Sequence, residues 1–147
     1  MRKNIGFTLI ELVVVIAVIV ILSAIILFTI NQYINKGKDS NIKGNLAVLV
    51  ASGEVYYNGS GDNSYRASDT EDFCDSNVVQ NARSQIPLNS SFLCKVNFSG
   101  DAWAACAKLF TDASKAYCVD SRGLKKEISE SDCSEGSVMM ISEYKCP

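Results

Sequence analysis

The sequence predicts an α+β fold. One long N-terminal helix, membrane-spanning in its first half and amphipathic in its second, packs on a small antiparallel β-meander with disulfide-braced loops. Three observations predict it: an uncharged apolar run over residues 12–30, a helical apolar period over residues 42–56, and cysteines at 94, 106 and 118 in three short segments separated by turn residues.

From Leu12 to Ile30 there are nineteen residues without a charge, and only Ser23 and Thr29 are polar. At ~1.5 Å per residue this is ~28 Å of helix, close to the hydrocarbon thickness of a bilayer. The run exceeds the roughly 7–15 apolar residues of a cleaved secretory signal, and no Ala-x-Ala site follows it. Glu11 immediately precedes this run and itself follows the apolar Leu9 and Ile10. A carboxylate in lipid costs roughly 2.5–3.5 kcal/mol on the lenient insertion scale, so this acid calls for a partner. Arg2 and Lys3 precede it and favour a cytoplasmic N-terminus.

Beyond Asn31 and Gln32 the chain turns polar, with Lys36, Lys38, Asp39 and Lys43. Ile42, Leu46, Leu49, Gly53 and Tyr56 then recur at the period of a helix with one apolar face. Gly37, Gly44 and Gly53 weaken that helix by roughly 1 kcal/mol each and permit bends or close approach. Asn58-Gly59-Ser60-Gly61 stops it. One helix from about Phe7 to Tyr57 is expected, in need of a sheet or loops to cover its second half.

Residues 59–91 read as loops, with Tyr65 and Phe73 as packing anchors and a turn of helix over residues 76–84 that Pro87 ends. Strands are expected over residues 91–98, 103–110 and 116–120, parted by Ser99-Gly100-Asp101 and by Thr111-Asp112-Ala113-Ser114. A hairpin folded about Gly100 sets Cys94 opposite Cys106, and one folded about Asp112 sets Cys106 opposite Cys118. Trp103 reads as a core anchor. The domain plan is a cytoplasmic leader over 1–6, a membrane helix over 7–30, its amphipathic continuation over 31–58, and an extracytoplasmic head over 59–147.

Composition excludes several functions. There is no histidine, and neither a nucleophile–base pair nor a phosphate loop is present, so the chain does not read as an enzyme. Net charge is −2, and removal of Arg2 and Lys3 leaves 12 basic side chains against 16 acidic, which gives no footprint for nucleic acid. The six cysteines lie at 74, 94, 106, 118, 133 and 146, all beyond the apolar run, which points to an oxidising compartment for the head. No C-x₂-C spacing supports zinc. Asp69, Glu71, Asp72 and Asp75 crowd one loop but lack a calcium-loop spacing, so no metal and no cofactor is expected. Lys125 and Lys126 read as surface charges. Asn58, Asn89 and Asn97 begin N-x-S triplets, a weak signal for glycosylation.

Gly6-Phe7-Thr8-Leu9-Ile10-Glu11 ahead of the aliphatic run resembles the start of a type IV prepilin or pseudopilin. The resemblance implies cleavage between Gly6 and Phe7 by a prepilin peptidase, N-methylation of Phe7, and pairing of Glu11 with the Phe7 amine of a neighbouring subunit. Two such charges in an apolar bundle neutralise each other, and a misplaced subunit leaves both unpaired. It further implies assembly by an ATPase and membrane platform into a helical homo-oligomer, a pilus-like filament; a pseudopilin of a type II secretion system and a non-polymerising membrane-anchored binding domain are the alternatives. Val20 and Phe28 replace the glycine and proline of many relatives, so a continuous helix is expected. The segment from Trp103 to Gly123 looks, less specifically, like the sheet region of some pilin-like proteins.

Six cysteines allow fifteen pairings, which the sequence leaves open. Sequential pairing is the preferred set. Cys133–Cys146 resembles the terminal disulfide loop of many pilins, Cys106–Cys118 is then a cross-strand bridge, and Cys74–Cys94 ties the loops to the first strand. The rival set joins Cys94 to Cys106 and Cys74 to Cys118.

Overall fold

The computed structural model describes residues 6–68, 70–135 and 144–147. It divides into two compact units, residues 1–34 and 35–147. The architecture is α+β and pilin-like: helix α1 (Leu9–Asn58), a 3₁₀ turn (Phe73–Asp75), α2 (Asn77–Gln85), strands β1 (Phe92–Val96), β2 (Trp103–Lys108), β3 (Lys115–Asp120) and β4 (Lys125–Ser129), and a second 3₁₀ turn (Glu130–Cys133).

In the first unit α1 is helical through Val20 and Phe28, as expected from the missing glycine and proline. Its apolar side chains, Leu12, Ile16, Ile19 and Leu22 among them, are exposed, and the helix is long and apolar enough to cross a membrane. Ser23 donates to the Ile19 carbonyl at 2.8 Å and Thr29 to the Ile26 carbonyl at 3.1 Å. The two hydroxyls of the apolar run are thus satisfied within the helix, as a water-free surrounding requires.

The second unit is a sheet in the order β1-β2-β3-β4, antiparallel throughout. The head half of α1 lays Ile42, Leu46 and Leu49, all fully buried, against one face. Period-2 alternation sends Trp103, Ala105 and Ala107 of β2 and Val119 of β3 to that face, with Tyr65, Phe73 and Val79 completing the core. Trp103 lies 4.8 Å from Phe73 and 6.3 Å from Tyr65, ring centre to ring centre. Gly53 makes room for the indole: a Cβ there would stand 2.8 Å from Trp103 Nε1. The other sheet face carries a second buried cluster of Ala104, Cys106, Ala116, Cys118 and Ile128, joined by Cys133 and Cys146.

Three expectations are corrected. The strand β4 is unforeseen, because Lys125-Lys126-Glu127-Ile128-Ser129 holds one apolar residue and pairs as a lysine-bearing edge, a composition that guards sheet edges. The first hairpin is displaced by one residue. Cys94 faces Ala105, not Cys106, because Asn97 organises the loop, its Oδ1 accepting from Asp101 N at 2.9 Å and Ala102 N at 3.1 Å while Gly100 takes φ +72°. A one-residue slip reverses the face, so Cys94 turns toward the α1 side and bonds Cys74.

The third correction concerns the remaining bonds. Cys106 does lie opposite Cys118, yet the disulfides are Cys106–Cys133 and Cys118–Cys146, not Cys106–Cys118 and Cys133–Cys146. Both strand cysteines leave the sheet on the face away from α1, where Ala104, Ala116 and Ile128 need cover. Bonding outward to Cys133 and Cys146 brings that cover in; a bond between the two strands would not.

Candidate functional site

The predicted processing and assembly residues lie at the start of α1. Gly6, Phe7 and Thr8 precede the helix and are exposed, with Phe7 at 78% exposure, and nothing approaches within 4 Å of a Cβ placed on Gly6. The five residues before Gly6, Arg2 and Lys3 included, lie outside the described residues.

Glu11 falls in the first helical turn. Its Oε2 accepts from Thr8 N at 2.8 Å and from Thr8 Oγ1 at 2.7 Å, and Glu11 N donates to Thr8 Oγ1 at 3.3 Å. This reciprocal arrangement is a capping box, which satisfies two amide groups that a helix start leaves orphaned. A negative side chain there also complements the helix dipole. Thr8 was not singled out in the sequence, although Thr-x-x-Glu is the signal for such a box. The capped carboxylate keeps Oε1 free of any hydrogen bond among the described residues. Glu11 shares an open stretch of helix surface with Phe7, Ile10, Val14 and Val15, so the acid borders exposed apolar side chains.

In the head, two buried acids hold chain segments together. Asp39, 7% exposed, accepts from Phe110 N at 2.6 Å, Thr111 N at 3.0 Å and the Thr111 hydroxyl, fastening the β2–β3 turn to the head half of α1. Asp120 is fully buried. Its Oδ1 accepts from Arg122 N and Leu124 N, and its Oδ2 from Arg122 Nη2 at 2.6 Å and Cys146 N at 3.0 Å. Arg122 Nη2 also donates to the Cys146 carbonyl at 3.0 Å. The sequence pointed to the segment around Asp120 but gave neither acid a role.

Lys43 Nζ reaches Glu127 Oε1 at 2.7 Å and Lys115 reaches Glu127 Oε2 at 3.6 Å. The Lys43 hydrogen bond holds the Glu127 carboxyl below its usual range, and Glu127 in turn raises Lys43. Of the acidic loop, Asp72 and Asp75 cap the 3₁₀ turn through Cys74 N and Asp72 N, and burial raises Asp72. Asp69 lies outside the described residues. No cluster of three or more metal-ligating side chains occurs among the described residues.

No curated protein and no solved structure matches the chain. Residues 1–27 match the family model of the prokaryotic N-terminal methylation motif, and the N-terminus of this chain therefore carries the signature of type IV pilins and pseudopilins.

Proposed function

We propose that the chain is the precursor of a structural subunit that polymerises into a type IV pilus-like surface filament. The observation that carries this reading is the methylation motif over residues 1–27, with Gly6-Phe7 ahead of the helix and Glu11 in its first turn. Residues 1–6 act as the cytoplasmic leader, 7–30 as the membrane and then filament-core helix, 31–58 as its continuation, and 59–147 as the exported head. A prepilin peptidase cuts between Gly6 and Phe7 and methylates the new amine. An assembly ATPase and platform then draw the subunit from the inner or cytoplasmic membrane into an extracellular or periplasmic filament.

The chemistry is electrostatic rather than catalytic. The Phe7 amine of an incoming subunit meets Glu11 of its neighbour inside an apolar bundle. Each charge alone is costly there, so only the register that pairs them is populated. Helix surface moved from lipid to neighbouring helices supplies the remaining cohesion through packing.

The test is a pair of variants. Glu11→Ala is expected to insert and lose its leader normally but to form few filaments by electron microscopy; normal filaments would overturn the register role. Gly6→Leu is expected to leave the leader attached, read by mass spectrometry of the N-terminus. A trimmed, methylated Phe7 in that variant would overturn the cleavage assignment.

A further inference from the structure

Cys106, Cys118, Cys133 and Cys146 belong to one buried cluster on the sheet face away from α1. The disulfides there join sequence-distant pairs, 27 and 28 residues apart. The two strand cysteines are nonetheless direct register partners. Their pairing type follows from the hydrogen bonds at the ends of the hairpin. Leu109 N donates to the Lys115 carbonyl at 2.9 Å and Ser121 N to the Trp103 carbonyl at 3.0 Å. These mark hydrogen-bonded pairs, and strict alternation between them makes Cys106/Cys118 a non-hydrogen-bonded pair. Such pairs hold their Cα atoms about 4.5 Å apart with side chains on the same face, inside the span a disulfide bridges.

We propose that a Cys106–Cys118 bond is an obligate precursor in oxidative folding, and that Cys133 is the thiol that resolves it. Closing twelve residues is favoured over closing 27 by about threefold on loop entropy alone. The β2–β3 hairpin also presents this pair before the chain beyond β4 is in place, since local pairing is the fast event.

The steps balance. A low-molecular-weight or protein disulfide oxidises the Cys106 and Cys118 thiols, forming the Cys106–Cys118 bond and leaving the oxidant as two thiols. The Cys133 thiolate then attacks the Cys106 sulfur. The Cys106–Cys133 bond forms, the Cys106–Cys118 bond breaks, and Cys118 departs as a thiolate that takes up a proton, with no net change in oxidation state. A second equivalent of oxidant joins Cys118 to Cys146 and is itself reduced to two thiols. Cys133 is suited to the resolving step because its 3₁₀ turn, Glu130–Cys133, follows β4 directly and β4 pairs with β3.

The experiment is oxidative refolding of the full chain in detergent micelles. Reduced, unfolded protein is returned to a glutathione/glutathione disulfide buffer and quenched with iodoacetamide at intervals. Cleavage after Lys95, Lys108, Lys115, Arg122, Lys126 and Lys145 puts each of the four cysteines in its own tryptic peptide. The linked Cys106/Cys118 peptide is expected to rise first and fall as Cys106/Cys133 and Cys118/Cys146 appear. In Cys133→Ser/Cys146→Ser it is expected to accumulate and persist. A wild-type time course in which the Cys106/Cys118 peptide never exceeds a few per cent of chains would overturn the proposal. The wild-type course decides the matter even where the double variant fails to fold.

Discussion

Tyr65 shows how a single side chain sets a pH limit on the head. Its hydroxyl donates to Glu54 Oε1 at 2.8 Å. Burial first, and then that hydrogen bond to a carboxylate, push the phenol well above its ordinary value. A raised value means that the fold prefers the neutral phenol. The resulting stability is fully present below the unfolded value near about 10 and is lost as pH rises beyond it. Tyr65→Phe is expected to cost about 1 kcal/mol at neutral pH and to flatten the alkaline fall in stability, measured by urea unfolding at two pH values. An alkaline limb as steep as that of the wild type would count against this account. Asp120 is the second residue-scale case. Asp120→Ala leaves Cys146 N without its acceptor and the Arg122 guanidinium with the Cys146 carbonyl in place of two partners. A loss of about 1–3 kcal/mol is expected, together with faster reduction of Cys118–Cys146 by dithiothreitol. Unchanged reduction kinetics would show that Asp120 does not secure the chain at Cys146. Neither role was legible in the sequence, because an acid accepting from backbone amides looks like any other acid until the segments that donate to it are placed.

Helix α1 was legible because its pattern repeats. Ile42, Leu46, Leu49 and Gly53 form the buried face that their spacing announces. What each glycine does there was not legible. Gly53 abuts Trp103, whereas nothing lies within 4 Å of a Cβ on Gly44. The same substitution should therefore act in opposite directions. Gly44→Ala is expected to stabilise the isolated subunit by up to about 1 kcal/mol through helix propensity, and Gly53→Ala to destabilise it by roughly 1–3 kcal/mol through overpacking. Thermal unfolding of the two variants checks this, and equal shifts would refute the contrast. The strands taught a different lesson. The second hairpin matched its expected register, but the first slipped by one residue because Asn97 closes a longer loop than Ser99-Gly100-Asp101 suggested. That slip alone moved Cys94 to the other face. Turn chemistry, rather than cysteine spacing, decides which cysteines are neighbours.

For the whole molecule, the cysteine positions pointed to an oxidising compartment and left the connectivity open. Even spacing at 94, 106 and 118 invited bonds within the sheet. The sheet instead has two apolar faces, and among the described residues only one of them has a helix to cover it. Two disulfides close the other. Each bond is worth about 3 kcal/mol in the chain-entropy model, but they differ in what they guard. Cys74→Ala/Cys94→Ala is expected to lower stability with little dye-accessible apolar surface. Cys118→Ala/Cys146→Ala is expected to lower it comparably and to raise binding of an apolar fluorescent dye by uncovering Ala104, Ala116 and Ile128. Equal dye binding by the two variants would refute the cover role.

The Thr8–Glu11 box has a consequence for processing. A helix folds its peptide groups into its own hydrogen-bond ladder, and a peptidase has to unravel the ladder before it can cut there. By fixing the first turn at Leu9, Thr8 leaves the bond between Gly6 and Phe7 outside the ladder, in exposed backbone of the kind that proteases favour. A peptidase that cuts at that bond meets it already unwound. The acid proposed to align finished subunits thus also sets off, before assembly, the bond proposed for cleavage.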